Sequence, residues 1–209
     1  MRVHVKICGV RSADDARECA LLGASSIGIN FVPSSPRCVS VETALAIARA
    51  VRATGTKAIV VGVVADMTLE AMRALVKDAE LDCLQLHGDE PAETLAALLP
   101  HAYKATRIAT PDDVARARAY PGEYLLVDAK VPGMLGGSGT AFDWTLVKEL
   151  ATERRLTLAG GLDPENVTRA VREVRPYCVD VASGVERAGS PGEKDLAKVR
   201  AFIEAARAA

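Results

Sequence analysis

The chain has 209 residues, of which 49% are hydrophobic and 25% charged, and its formal net charge is −1. This composition is typical of a globular protein and gives no electrostatic reason to expect nucleic acid or an anionic membrane as a partner. No apolar run has the length of a membrane span and no signal peptide opens the chain, so we expect a cytoplasmic protein.

The cysteines are scattered and form no C-x-x-C pair: they are Cys8, Cys19, Cys38, Cys83 and Cys178. An odd, scattered count favours reduced thiols over a disulfide framework or a zinc site. We expect most of them to be small buried hydrophobic residues. Cys8 is the exception, because it stands at the end of the first predicted strand.

Short apolar runs alternate with helical segments along the whole chain. The apolar runs predict strands at 3–9, 25–31, 57–64, 82–88, 101–108, 123–130, 155–161 and 177–184. The intervening segments, several of which begin with a capping Ser, Thr or Asp, predict helices at 12–22, 40–53, 68–79, 90–99, 111–119, from 143, at 163–174 and at 193–206.

This alternation of eight strands with eight helices predicts an α/β fold, a (β/α)8 TIM barrel with a parallel eight-stranded barrel, as a single domain over 1–209. The alternative is an open doubly wound sheet. That fold usually has fewer units, and its signature G-x-G-x-x-G is missing after the first strand.

The first predicted strand, VHVKICG, contains both apolar and polar side chains, and a barrel explains this mixture. Side chains alternate along a strand, so its valines and isoleucine face the helices, whereas Lys6 and Cys8 point into the barrel. Cys8 then lies at the carboxyl end of the strand, where barrel enzymes have their active sites. Lys6 lies one layer below, and we expect it to be structural and paired with Asp180 or Asp128.

Polar side chains collect at the same end of other strands: Gln85, His87, Arg107, Asp128 and Asp180, with Arg37 in the loop after the second strand. Each has a structural interpretation as well. Asp128 can cap a loop, Arg37 can be a solvated surface residue, and His87 can be a satisfied interior histidine. The position at the rim favours a functional role most clearly for Asp128 and Arg37.

Two glycine-containing turns end the last two strands, Gly160-Gly161 after the seventh and Ser183-Gly184 after the eighth. Loops at these positions form the recurrent phosphate site of TIM barrels, where glycine lets backbone N–H groups approach an anion. We therefore expect a sugar phosphate or a similar ligand. The long loop PGMLGGSGTAFDW at 132–144 is predicted to be an active-site loop.

Taken together, the motifs resemble the phosphoribosylanthranilate isomerase family over the full length of the chain. They are KICG, SPR, QLHG, VDAK…GGSG…FDW, AGGL-x-P-x-NV and VDVASGVE, in this order. The chain departs from the family pattern at Ala182, where serine is usual, and at Ile29 and Val64, where phenylalanine is frequent. The last two changes are expected to alter the packing of the anthranilate pocket.

The resemblance implies an Amadori rearrangement in tryptophan biosynthesis, with Asp128 as general acid and Cys8 as general base. It implies that Arg37 holds the anthranilate carboxylate and that Asp180 and His87 contact the substrate. The phosphate would be bound by Gly160, Gly161, Ser183 and Gly184. Because such a reaction only moves protons, no cofactor and no metal is expected. A monomer or a homodimer is expected.

Two alternatives remain at the level of sequence. Another sugar-phosphate barrel enzyme, such as the related isomerase of histidine biosynthesis or indole-glycerol-phosphate synthase, would use an aspartate in place of Cys8 or lysines at strand ends. A non-catalytic barrel that binds a phosphorylated metabolite would keep the glycine turns but would not need both Cys8 and Asp128. The joint presence of these two residues favours an enzyme.

Overall fold

The computed structural model of the protein describes residues 2–128 and 144–209, apart from the side chains of Thr145 and Leu146. The strands are β1 (His4–Cys8), β2 (Ser26–Asn30), β3 (Ile59–Val64), β4 (Cys83–Leu86), β5 (Ala102–Arg107), β6 (Tyr124–Asp128), β7 (Arg155–Ala159) and β8 (Cys178–Val181). The helices are α1 (Ala13–Leu21), α2 (Val41–Ala53), α3 (Leu69–Asp78), α4 (Ala92–Ala96), α5 (Pro111–Ala119), α6 (Thr145–Glu153), α7 (Val167–Val174) and α8 (Leu196–Arg207).

The strands form a closed parallel barrel in chain order, which confirms the predicted fold. β1 pairs with both β2 and β8, and the register places Lys6 beside Asp180 and Cys8 beside Gly28. All carboxyl ends therefore meet at one rim, as in other TIM barrels. That residues 1–209 form a single domain remains a prediction.

The apolar core has an outer and an inner layer. Outward-facing residues such as Val5 and Ile7 are fully buried in the large cluster between barrel and helices. Ile29 and Val64 belong to this outer layer too, so the expectation that they shape the anthranilate pocket is wrong. Strand alternation explains this, since Asn30 and Val63 take the inward positions. Each buried aliphatic side chain contributes about 1.5–3 kcal/mol.

α7 begins later than predicted, at Val167 instead of Asp163. The Asp163 carboxylate accepts hydrogen bonds from the backbone N–H groups of Glu165 and Asn166, at 2.9 Å each. Such a side-chain bond stabilises a local turn in place of a helix.

α8 also begins later than predicted, at Leu196 instead of Glu193. The Asp195 carboxylate caps the helix, and the preceding Lys194 forms an antiparallel bridge with Glu186. The predicted start of the sixth helix at Asp143 lies outside the described residues. No helix in the described part of the chain is long and apolar enough to cross a membrane.

Candidate active site

A cavity of about 400 Å³ opens at the carboxyl ends of the strands. The predicted site residues that line it are Cys8, Arg37, His87, Asp128, Gly160, Gly161, Asp180 and Ser183. Gly184 is not among its lining residues. β7 and β8, which carry the two glycine turns, separate β1 from β6 on one side of the barrel. Along the rim, the glycine turns therefore lie between the strand ends that carry Cys8 and Asp128.

Cys8 sits above a buried ion pair. Lys6 Nζ lies 3.0 Å from Asp180 Oδ1, and both side chains are almost entirely buried, which confirms the predicted pairing of Lys6. Although burial lowers the pKa of Lys6, the Asp180 carboxylate raises it well above its usual value. Lys6 is therefore a fixed cation beneath the thiol.

Burial raises the pKa of the Cys8 thiol. The Lys6 cation lowers it and the Asp180 carboxylate raises it, but burial is the largest effect, so the pKa lies above its usual value. Gly28 provides the space for both groups, because a Cβ atom there would lie 2.8 Å from Cys8 Sγ and 3.0 Å from Lys6 Nζ. Without a ligand, Cys8 is a neutral thiol at pH 7.

Arg37 is held by a carboxylate from another strand loop. Its Nε and Nη2 donate to Glu186 Oε1 and Oε2 at 2.6 and 2.7 Å. Glu186 Oε1 also accepts from Lys194 Nζ at 3.1 Å. Burial by itself raises the pKa of Glu186, but the hydrogen bonds from Arg37 and the nearby Lys194 lower it to about 2. Glu186 is therefore ionised throughout the physiological range.

The two glycine turns pack directly on each other. A Cβ atom at Gly184 would overlap the carbonyl oxygen of Leu162, so only glycine permits this approach. Asn166 Nδ2 donates to the carbonyl oxygen of Gly161 at 2.9 Å and fixes the first turn. Gly161 itself has φ +65° and open space around its Cα. The turn after β7 therefore faces the cavity, and Gly184 acts by bringing the second turn against it.

A family model described as N-(5'-phosphoribosyl)anthranilate (PRA) isomerase matches residues 5–205. The chain is 45% identical to N-(5'-phosphoribosyl)anthranilate isomerase from Myxococcus xanthus, over 99% of this chain and 97% of that protein. The chain belongs to the phosphoribosylanthranilate isomerase family. The resemblance inferred from the motifs is thereby confirmed.

Solved structures of phosphoribosylanthranilate isomerases share its fold. One of them, in complex with reduced 1-(o-carboxyphenylamino)-1-deoxyribulose 5-phosphate, is 33% identical with a TM-score of 0.85, over 99% of this chain and 100% of that chain. Another, of monomers generated from the dimeric isomerase of Thermotoga maritima, is also 33% identical, with a TM-score of 0.82 and the same coverage.

In this member of the isomerase family, His87 is a partly buried ring linked to Gln85 and Tyr103. The Tyr103 hydroxyl donates to Gln85 Oε1 at 3.1 Å, and Gln85 Nε2 lies 3.2 Å from His87 Nδ1. Burial lowers the pKa of His87 more than the nearby Asp128 carboxylate raises it.

A second buried ion pair supports the loop that carries His87. Lys104 Nζ lies 3.0 Å from Glu90 Oε2 and also donates to the carbonyl oxygens of Leu86 and Gly88. Glu90 Oε1 accepts from the backbone N–H of Gly88 at 3.2 Å. The pair therefore fixes the QLHG motif of this isomerase family member from below.

The structure separates the remaining rim residues. Arg107 is exposed and lines a neighbouring cavity instead of the one that contains Cys8. No role was predicted for Glu186, Lys194 and Glu90 from the sequence. Glu186 belongs to the family motif VDVASGVE, and this membership could have indicated a functional role. Lys194 lay inside a predicted helix, so no sequence pattern indicated that it belongs to the site. The predicted active-site loop lies, except for the buried Trp144, outside the described residues.

Proposed function

We propose that this chain is a phosphoribosylanthranilate isomerase. It converts N-(5-phosphoribosyl)anthranilate to 1-(2-carboxyphenylamino)-1-deoxyribulose 5-phosphate in tryptophan biosynthesis, with Asp128 as general acid and Cys8 as general base. The observation that carries the proposal is one cavity with a thiol and a carboxyl group at the ends of β1 and β6. Two glycine turns lie between these ends on the rim.

The reaction begins with ring opening. Asp128 protonates the ribose ring oxygen while the bond from this oxygen to C1 breaks, which leaves a protonated Schiff base between C1 and the anthranilate nitrogen. Cys8 then removes the proton from C2 and produces an enolamine. Transfer of the C2 hydroxyl proton to C1 completes the ketone. Proton exchange with solvent returns Cys8 and Asp128 to their starting states.

The charge of the intermediate helps to explain how a buried thiol acts as a base. A nearby positive charge stabilises a thiolate. The protonated Schiff base supplies such a charge only after Asp128 has opened the ring. Together with the fixed cation of Lys6, it offsets the burial that keeps Cys8 neutral in the free protein.

Other residues bind the carboxylate, the phosphate and the remaining groups of the substrate. Arg37 holds the anthranilate carboxylate, since an arginine fork suits a carboxylate. Gly160, Gly161, Ser183 and Gly184 form the phosphate site. Asp180 and His87 orient the substrate.

An assay that couples anthranilate and a phosphoribosyl donor to the purified protein, and follows the loss of substrate fluorescence, tests this proposal. We expect turnover by the wild type and almost none by the Cys8→Ser, Asp128→Asn double variant. Binding of the reduced product analogue without turnover by the wild type would instead favour a non-catalytic barrel.

The setting of the enzyme is part of the proposal. Its five cysteines are free, which supports a reducing, cytoplasmic compartment. We expect a monomer or a homodimer, and light scattering coupled to size-exclusion chromatography distinguishes the two.

A further inference from the structure

Arg37, Glu186 and Lys194 form a compact charged group, here called the arginine support, behind the cavity. Glu186 Oε1 accepts from Arg37 Nε, from Lys194 Nζ and from the backbone N–H of Gly192, and Oε2 accepts from Arg37 Nη2. The exposed fraction of the side chain is 23% for Arg37, 6% for Glu186 and 0% for Lys194. Only the arginine therefore faces the cavity.

The planar guanidinium of Arg37 has two edges that suit a carboxylate. Glu186 occupies the edge formed by Nε and Nη2. The other edge, formed by Nη1 and the second hydrogen of Nη2, has no hydrogen-bond acceptor among the residues that the structure describes. A second carboxylate can bind there in the bidentate manner that arginine favours.

The net charge of the arginine support suits an anion. One carboxylate faces two cations, so a formal charge of +1 remains, and Arg37 is the cation that lines the cavity. Because Lys194 and Glu186 are buried, this charge is screened less than that of a surface pair. Glu186 thus fixes the direction of the guanidinium without neutralising the group.

The arginine support is also joined to the second glycine turn. Glu186 directly follows the 3₁₀ turn Ser183–Val185, and Lys194 Nζ donates to the carbonyl oxygen of Ala182 at 3.2 Å. A displacement of Glu186 would consequently move both Arg37 and the backbone that begins with Ser183. The groups for the two ends of the substrate are therefore built on one connected segment.

We propose that Glu186, held by Lys194, is a positioning residue that directs the free edge of Arg37 at the substrate carboxylate and so determines selectivity for a carboxylated aminosugar phosphate. The inference rests on the proposed function, because that function supplies the carboxylate. Glu186 acts through Arg37 and does not touch the substrate. Its loss should therefore weaken binding of carboxylated ligands more than binding of uncarboxylated ones.

The experiment compares two ligands by calorimetry. One is reduced 1-(o-carboxyphenylamino)-1-deoxyribulose 5-phosphate, and the other is its phenylamino counterpart without the carboxylate. For Glu186→Gln we expect the affinity for the first to fall about tenfold or more, the order of one charge-assisted hydrogen bond, and that for the second to change less than twofold. In the activity assay KM should rise more than kcat falls. Glu80→Gln, which breaks the exposed pair with Arg49, is the matched control and should change neither affinity.

A double-mutant cycle separates positioning from general stability. In the Arg37→Gln background, Glu186→Gln should have almost no further effect on the affinity for the carboxylated ligand. Glu186→Asp keeps a charge for Lys194 but is one methylene shorter, so it should lose selectivity to an intermediate extent. This variant also serves if Glu186→Gln fails to fold.

Three results would overturn the inference. They are equal losses for both ligands, unchanged affinity for both, and tighter binding of the carboxylated ligand by Glu186→Gln, which would mean that Glu186 competes for Arg37. A wild type that binds neither ligand would overturn the proposed function itself, and the positioning role with it. The two failures are thus distinguishable.

Discussion

Burial and charge act in opposite directions on the thiol of Cys8. Burial and Asp180 raise its pKa, while Lys6 lowers it, and the first two prevail in the free protein. A neutral resting thiol is protected from oxidation and metal capture, both of which need a thiolate.

Cys8→Ser should lower kcat by about 10²–10⁴-fold, the usual contribution of a general base, while the affinity for the reduced product analogue stays close to that of the wild type. Steady-state kinetics and calorimetry measure the two quantities. Alanine at Cys19, Cys38, Cys83 or Cys178 should leave turnover unchanged, because none of these cysteines lines the cavity. A Cys8→Ser enzyme within twofold of the wild type would refute the assignment.

Asp128→Asn should make ring opening limiting, because the amide has no carboxylic proton to donate. In the wild type, kcat/KM should depend on pH as a bell, since one group must be protonated and the other not. In the variant the residual activity should rise through the raised pKa of Cys8 and stay level at alkaline pH. Near-normal turnover with both limbs retained would make Asp128 structural and His87 the next candidate for the acid.

Elements contribute to the site mainly through their ends. β7 and β8 stop at glycine turns that touch each other, whereas β4 ends in a loop fixed by the Lys104–Glu90 pair. Rigid strands thus present short loops whose backbone positions are held by buried contacts. This is how a barrel combines a stable scaffold with a site of several chain segments.

The two glycine turns should respond differently to alanine. Gly184→Ala places a Cβ on the carbonyl oxygen of Leu162, so it should separate the turns and lower the melting temperature. Gly161→Ala meets open space and should cost about 1–2 kcal/mol of unfolding free energy, from its left-handed backbone alone. We therefore expect the lower melting temperature for Gly184→Ala. Differential scanning calorimetry of both variants measures this difference, and equal melting temperatures would contradict it.

Ala182→Ser tests the phosphate site without disturbing either turn. A new hydroxyl near the phosphate should change the affinity for the product analogue by at most about 0.5–1.5 kcal/mol, the value of one neutral hydrogen bond. A structure of the complex locates the phosphate directly. Phosphate bound elsewhere on the barrel would show that the turns after β7 and β8 are not its site.

Most of the buried apolar side chains of the described residues form the large cluster between barrel and helices, and charged pairs are buried elsewhere in the molecule. Lys6 and Asp180 pair inside the barrel, and Lys194 and Glu186 pair in the buried segment between β8 and α8. Pairs of this kind contribute little net free energy compared with apolar side chains of equal size, but breaking one is costly. The presence of these buried pairs is better explained by their support of the candidate site than by a gain in stability.

Acid should weaken the fold through Glu186. Its pKa is lowered from 4.5 to about 2, so its stabilising contribution is present above pH 4.5 and is lost as the pH falls toward 2. Urea unfolding of wild type and Glu186→Gln should show a difference at pH 7 that shrinks at pH 3. A difference independent of pH would exclude this linkage.

The sequence by itself determined the order of strands and helices and the residues at strand ends. Both depend on local patterns, namely apolar runs, capping residues and alternation of side chains along a strand. The position of Cys8 at the rim and of Lys6 below it follows from such a pattern. A parallel barrel then brings all strand ends together, so most cavity residues were predictable.

Only the tertiary structure decided which charges pair and how deeply they are buried. Lys6 and Asp180 are 174 residues apart, and Arg37 and Glu186 are 149 apart. Strand alternation allowed either Asp180 or Asp128 as the partner of Lys6 and gave no partner for Arg37, because the partners meet only when β8 closes against β1 and the loops fold over the rim. The raised pKa of Cys8 and the fixed edge of Arg37 are consequences of that closure, since burial and distance set both.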